Sequence, residues 1–411
     1  MKLLPGLSWI VAALLVAACA TQRSLAPEDL RARAAFEPAL VAKGAELAAL
    51  GNCSTCHTAE GGKPYAGGRA LKTPYGTMYG TNITPDAETG IGRWSEAAFR
   101  RALREGLDRE GRHLYPAFPY EYYTRLADED IRALYAYLMT REPVRAEARP
   151  HELRFPFNVR GLLGTWKALY FEPRRFQPDA GKSAQANRGA YLVEALAHCG
   201  ACHTPRGALG AERKDRPFAG GEAEGWHAPA LDASNPAPAP WTREQLFTYL
   251  RTGLDDLHAI AAGPMDPVVR NLARVREEEV RAIADYFAAR MPQGSHRALE
   301  ARPDLGGPGS AIYAGACGSC HDRGRQASSG SGLRLELATA VTVPTAKNLV
   351  RITMEGIAPP AGAPGRSMPG FANALTDAQL ASLIHYSRAR FGGAPPWADV
   401  EEEVRKVREG R

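Results

Sequence analysis

Three pentapeptides decide how this chain is read: Cys53-Ser54-Thr55-Cys56-His57, Cys199-Gly200-Ala201-Cys202-His203 and Cys317-Gly318-Ser319-Cys320-His321. They hold six of the seven cysteines. C-x-x-C-H is the attachment signature of c-type haem. The spacing has a chemical reason. Two thiols form thioethers to the two vinyl groups of one haem, and the adjacent imidazole reaches the iron as proximal ligand. A single copy would also suit a redox dithiol or a disulfide. Three copies, each with its own His, point to three covalent haem c groups. A zinc site would need paired knuckles sharing one metal.

The flanking sequence repeats with the motifs, as an internal array should. A short helical stretch containing a Gly precedes each one: Gly44 to Leu50, Gly189 to Leu196 and Gly309 to Ala314. After the first two motifs a Trp opens a helix, at Trp94 and Trp241, with Ser95 and Thr242 as N-caps and Gln245 completing a capping box. These helices stop at Gly106 and Gly253, and Gly356 is the matching stop in the third copy. A final helix follows, in which Ile131, Val280 and Leu380 lead to Tyr137, Tyr286 and Tyr386. The expected fold is all-α: three tandem class I cytochrome c domains at 35–140, 185–290 and 309–395. The Pro- and Arg-rich stretch 141–184 and residues 291–308 read as linkers, and 396–411 as a charged tail. No alternating pattern is long enough to predict a sheet.

An electron-transfer haem usually carries a Met on its distal side, since a thioether favours the reduced iron. Counting twelve residues past each stop glycine gives Phe118, Met265 and Met368. Met265 and Met368 are the expected distal ligands of the second and third haems. Phe118 cannot ligate iron. His113 or Met78 can substitute, or the first haem is left open and five-coordinate; His113 is placed first. Among the remaining histidines, His198 precedes Cys199 and shapes its loop, and His258 is within reach of a haem propionate.

Residues 1–18 read as an export signal: Lys2, then an apolar run from Leu7 to Ala18. Val16-Ala17-Ala18-Cys19 matches a lipobox, so Cys19 is the expected lipid-modified first residue and membrane anchor. Past this run no apolar stretch is long enough to span a bilayer. A length of 411 residues, at roughly 150 per domain, allows two to four domains. The net charge of +6 is too small and scattered for a nucleic-acid binder. There is no dinucleotide-binding glycine motif, P-loop, nucleophile elbow or H-E-x-x-H. No catalytic residue is therefore assigned, and the chain carries one-electron chemistry.

Several further segments carry a family resemblance: Thr81 to Pro85, Glu88 to Trp94, Leu114 to Tyr120, Asn187 to Tyr191, His203 to Gly210 and Ser367 to Gly370. Together with the three motifs, the chain resembles the trihaem cytochrome c subunits of bacterial membrane-associated alcohol, aldehyde and gluconate dehydrogenases. Phe118, and Thr252 to Met265, are more similar to the branch that accompanies molybdenum hydroxylases oxidising aldehydes or N-heterocycles such as nicotinate and isoquinoline. The other branches serve quinoprotein or flavoprotein dehydrogenases. The resemblance implies a periplasmic-side subunit that takes electrons from a catalytic dehydrogenase subunit and passes them to ubiquinone or a terminal oxidase. The family's quinone site does not map onto residues here.

Overall fold

In the computed structural model, residues 23–28, 35–292, 302–322, 333–359, 367–393 and 395–410 are described. Cys19 and the export run lie outside them. The chain divides into two compact units, the first ending at Cys199 and the second beginning at Gly200. That boundary falls within the second Cys-x-x-Cys-His motif, inside the second expected domain.

In the first unit, the helix Pro38–Leu50 crosses Asp128–Met139. The crossing is close because Gly44 has no side chain: a Cβ there would collide with the Ala133 carbonyl and the Tyr137 side chain. Leu47, Ala48, Ile131 and Leu134 fill the interface. The third copy repeats the device, with Gly309 of helix Gly307–Ala316 meeting Ser382 and Tyr386 of helix Asp377–Phe391.

The Trp-led helices form as their caps dictate. Ser95 accepts from the Ala98 amide and starts Glu96–Glu105. Thr242 and Gln245 close a capping box on Arg243–Thr252. Both helices end at left-handed glycines, Gly106 at φ 60° and Gly253 at φ 76°, where any other residue would be strained. In the third copy Lys347–Glu355 ends at Gly356, φ 77°. Final helices run Asp128–Met139, Glu277–Ala288 and Asp377–Phe391, the last with the Thr376–Gln379 capping box.

Three findings correct the expected layout. Short antiparallel ladders accompany the helices: Ala70–Thr73 with Gly76–Tyr79 and Glu152–Leu153, Gly221–Ala223 with Trp226–Ala228, and Leu254–Asp255 with Ala259–Ile260. They are too short to show alternation in the sequence. Residues 141–184 are more than a spacer: Glu152–Leu153 adds an edge strand, and helix Leu162–Tyr170 sends Lys167 to the carbonyls of Glu105 and Gly106. The charged C-terminus folds as Val400–Arg408. It buries Val400 and Val404 in the core of the third copy beside Trp397, and Arg408 pairs with Asp377 at 2.8 Å. Fully burying each such valine contributes about 1.5–3 kcal/mol, so this helix is part of the core that the third copy builds. Among the described residues, no helix is long and apolar enough to cross a membrane.

Gly44→Ala is expected to destabilise the first domain by about 1–3 kcal/mol despite the better helix propensity of Ala, because the obstructing atom is backbone. Urea unfolding followed by far-UV circular dichroism checks this.

Candidate haem attachment sites

The first Cys pair lies on a one-and-a-half-turn helix, Cys53–His57, and the other two sites end in short helices, Gly200–His203 and Gly318–His321. No disulfide joins the six cysteines. Burial pushes the Cys53 thiol up to about 12, with Cys56 adding to the shift. Burial likewise pushes Cys317 up to about 11, with Cys320 adding to it. These sites hold neutral sulfur, as a thioether is, and would disfavour a thiolate.

Each proximal imidazole is held the same way. His57 Nδ1 meets the Thr81 carbonyl at 2.7 Å, His203 Nδ1 the Pro229 carbonyl at 2.7 Å, and His321 Nδ1 the Leu333 carbonyl at 2.8 Å. A carbonyl only accepts, so Nδ1 carries the proton and Nε2 keeps its lone pair for a metal. Burial lowers the pKa of His57 and His203, which keeps both neutral. The donor set fits haem c: two cysteine sulfurs and one oriented Nε2 per site. Glycines let the loops close. His57 O accepts from Gly67 N, and His203 O from Gly220 N, at 2.8 and 2.9 Å. A Cβ on Gly80 would strike the Cys56 carbonyl, and one on Gly221 the Cys202 carbonyl.

The loop after the stop glycine sets the distal register. In the first copy Leu114 N donates to Gly106 O and Leu107 bridges His113; in the second, Ala261 N donates to Gly253 O and Leu254 pairs with Ile260. Phe118 and Met265 each follow the bridged residue by five positions, so the count from the bridge puts them in one register. The third loop differs. Met368 itself bridges Ile357, so the equal count from Gly356 conceals another loop shape.

His113 is arranged unlike the proximal histidines. Its Nδ1 lies 3.2 Å from Lys167 Nζ. An ammonium only donates, so Nδ1 accepts and the neutral ring carries its proton on Nε2. Burial, then Lys167 and Arg160, hold the His113 pKa down. Burial also brings Lys167 down to about 8, with Glu105 opposing. Met78 is buried on the strand Gly76–Tyr79, opposite Leu71. His258 does not extend towards a propionate. It is fully buried and stacked on Trp241 at 3.8 Å, with Nδ1 on Asp255 at 2.7 Å and Nε2 on the Ala239 carbonyl at 3.1 Å.

The cytochrome c family model matches residues 41–142 and 186–289, and that for cytochrome C oxidase, cbb3-type, subunit III matches 306–386. The chain is 43% identical to a subunit of the nicotinate dehydrogenase of Pseudomonas putida over 98% of its own length, and spans 35% of that protein's. It is 34% identical to the cytochrome c subunit of a quinone-linked alcohol dehydrogenase of Gluconobacter oxydans, covering 90% of this chain and 83% of that one. It is 33% identical to the gluconate 2-dehydrogenase cytochrome c subunit of Pantoea cypripedii, covering 90% of each. The chain belongs to the cytochrome c subunits of dehydrogenase complexes.

In this cytochrome, sequence reasoning missed the carbonyls of Thr81, Pro229 and Leu333, because a backbone acceptor leaves no residue signature. It also missed Tyr65 and Tyr123 beside the first site. The Tyr65 hydroxyl meets that of Tyr137 at 3.2 Å. Burial, then Cys53 and Cys56, push the Tyr123 phenol well above its ordinary range, so it stays neutral.

Gly80→Ala and Gly221→Ala are each expected to cost about 1–3 kcal/mol locally and to reduce attachment at one site only. Pyridine haemochrome absorbance per polypeptide should fall in both variants.

Proposed function

We propose that this cytochrome is a three-haem electron relay on the periplasmic side. It would accept electrons from a catalytic dehydrogenase subunit and pass them to ubiquinone or a terminal oxidase. The observation that carries this reading is the threefold recurrence of one site: a Cys pair and an imidazole oriented through Nδ1. Bound haem c supplies one-electron chemistry at its iron. The protein's own residues do the rest. The cysteines fix the group, the loop carbonyls hold each proximal ring in one tautomer, and Met265 and Met368 would close the distal faces of the second and third sites.

The similarity to the nicotinate dehydrogenase component, together with Phe118, favours a molybdenum hydroxylase as partner over a quinoprotein or flavoprotein dehydrogenase. Substrate chemistry belongs to that partner. Attachment to the membrane would rest on acylated Cys19. Mixing the oxidised holoprotein with a purified molybdenum hydroxylase encoded beside it, plus substrate, should reduce the cytochrome bands rapidly. Failure with every dehydrogenase encoded nearby would refute the proposed partnership.

A second reading concerns the first haem. Phe118 offers no ligand, and the Lys167 bond puts the His113 proton on the nitrogen that would have to bind iron. This favours an open distal face able to take a diatomic gas or peroxide over the His113-ligated form expected from sequence. Carbon monoxide should then shift the spectrum of one of the three reduced haems. In Phe118→Met a thioether restores the sixth ligand and the shift should vanish. An unshifted parent spectrum, with a shift appearing in His113→Ala, would show instead that His113 ligates the iron.

A further inference from the structure

We propose that Phe118, Tyr123 and His198 form an aromatic bridge between the first and second haems. The residue standing where a distal Met is expected would then serve as the first step of an electron path. This deepens, and rests on, the three-haem reading above.

Three observations on the first unit carry the inference. The first is a line of rings. Phe118 meets Tyr123 edge-on with centroids 5.4 Å apart, and Tyr123 meets His198 edge-on at 5.7 Å. Both spacings lie within the contact range of aromatic pairs. One end of the line is Phe118, where the residue count expects a distal Met, and the other directly precedes Cys199 of the second motif.

The second is a hydrogen bond between the two attachment loops. His198 Nε2 lies 3.2 Å from the carbonyl of Gly51, two residues before Cys53. The carbonyl accepts, so His198 donates. The Tyr123 hydroxyl donates to the same carbonyl at 3.4 Å. Leu196 fills the adjacent space, in contact with the position a Gly51 side chain would take.

The third is the backbone that aims His198. Cys53 follows its packing glycine, Gly44, by nine residues, whereas Cys199 follows Gly189 by ten. The extra residue is taken up in a π-helical turn, Leu192–Leu196, closed by Ala197 N on Leu192 O at 2.7 Å. Such turns recur at functional sites. His198 then takes a left-handed conformation, φ 41°, which His tolerates better than most residues. The equivalent residue in the first copy, Asn52, is also left-handed but turns its side chain to Thr55 at 2.6 Å. In the third copy it is Ala316, still within a helix. Of the three motifs, the second alone carries a ring at this point.

The step is a single electron exchange. With haem c bound, the iron that His57 would hold would lose one electron, ferrous to ferric, and the iron that the second motif would hold would gain it, ferric to ferrous. No bond breaks, no proton moves, and no bridging side chain changes oxidation state. The partner dehydrogenase supplies the electron.

The test is flash photoreduction of the full-length holoprotein with a ruthenium photosensitiser, following equilibration between the first and second haems by their spectra. Phe118→Leu and His198→Leu should each slow equilibration on the order of tenfold, with haem content and the potentials of the second and third haems unchanged; His198→Leu also lowers the melting temperature, since it loses the Gly51 bond and strains a left-handed backbone. Phe118→Tyr, which keeps the ring, should retain the parent rate. Parent rates in both leucine variants would overturn the bridge. Should His198→Leu lose its second haem, Phe118→Leu decides alone, since it lies outside both attachment motifs. A parent protein with fewer than three haems per chain would refute the three-haem reading itself, a result separable from the kinetics.

Discussion

The bond from a proximal imidazole to a loop carbonyl is the constraint on which the rest depends. A haem tethered by two thioethers can still tilt, and a free imidazole can present either nitrogen. The Nδ1 bond fixes the ring and leaves the Nε2 lone pair available to a metal. The carbonyls lie 24, 26 and 12 residues beyond their histidines, so loops of different length deliver the same contact. That requirement explains the glycines at 67, 80 and 221, where the chain folds back with no room for a side chain, and Gly220, whose φ of 85° is left-handed. His113, bonded to a cation rather than a carbonyl, shows the opposite polarity.

Small haem domains have little apolar core of their own, and this chain supplements it. Lys167 reaches from helix Leu162–Tyr170 to the last carbonyls of Glu105 and Gly106, replacing water at a buried helix end. Val400 and Val404 close the third core from the C-terminal side. Within the second unit, Asn348 of the third copy accepts from the His227 amide and donates to its carbonyl, each at 2.8 Å. His227 lies two residues before Pro229, whose carbonyl holds His203. Attachment loops are thus anchored by neighbouring copies as well as by their own.

Much of this is legible in the sequence because local chemistry writes it. The C-x-x-C-H spacing, the caps at Ser95, Thr242 and Thr376, and the stop glycines at 106, 253 and 356 are all short-range signals, and the structure places helix ends at each. The Phe118–Met265 equivalence also follows from counting. What escapes is long-range or carried by backbone. The ladders of two to four residues have no period to detect. Helix Val400–Arg408 reads as charged until Val400 and Val404 are seen to share a buried face, with Val407 packed beside them. The Met368 count coincides with the others although its loop is built differently. His198 reads as a loop residue, because its carbonyl partner lies 147 positions away in sequence.

The account stands or falls on one iron porphyrin per motif. Intact mass spectrometry of the mature protein, produced in a host able to attach haem c, tests this most directly. The account predicts a polypeptide heavier by three covalently bound haems, falling to two when Cys53 and Cys56 are both replaced by serine. A parent mass showing two or fewer would contradict it.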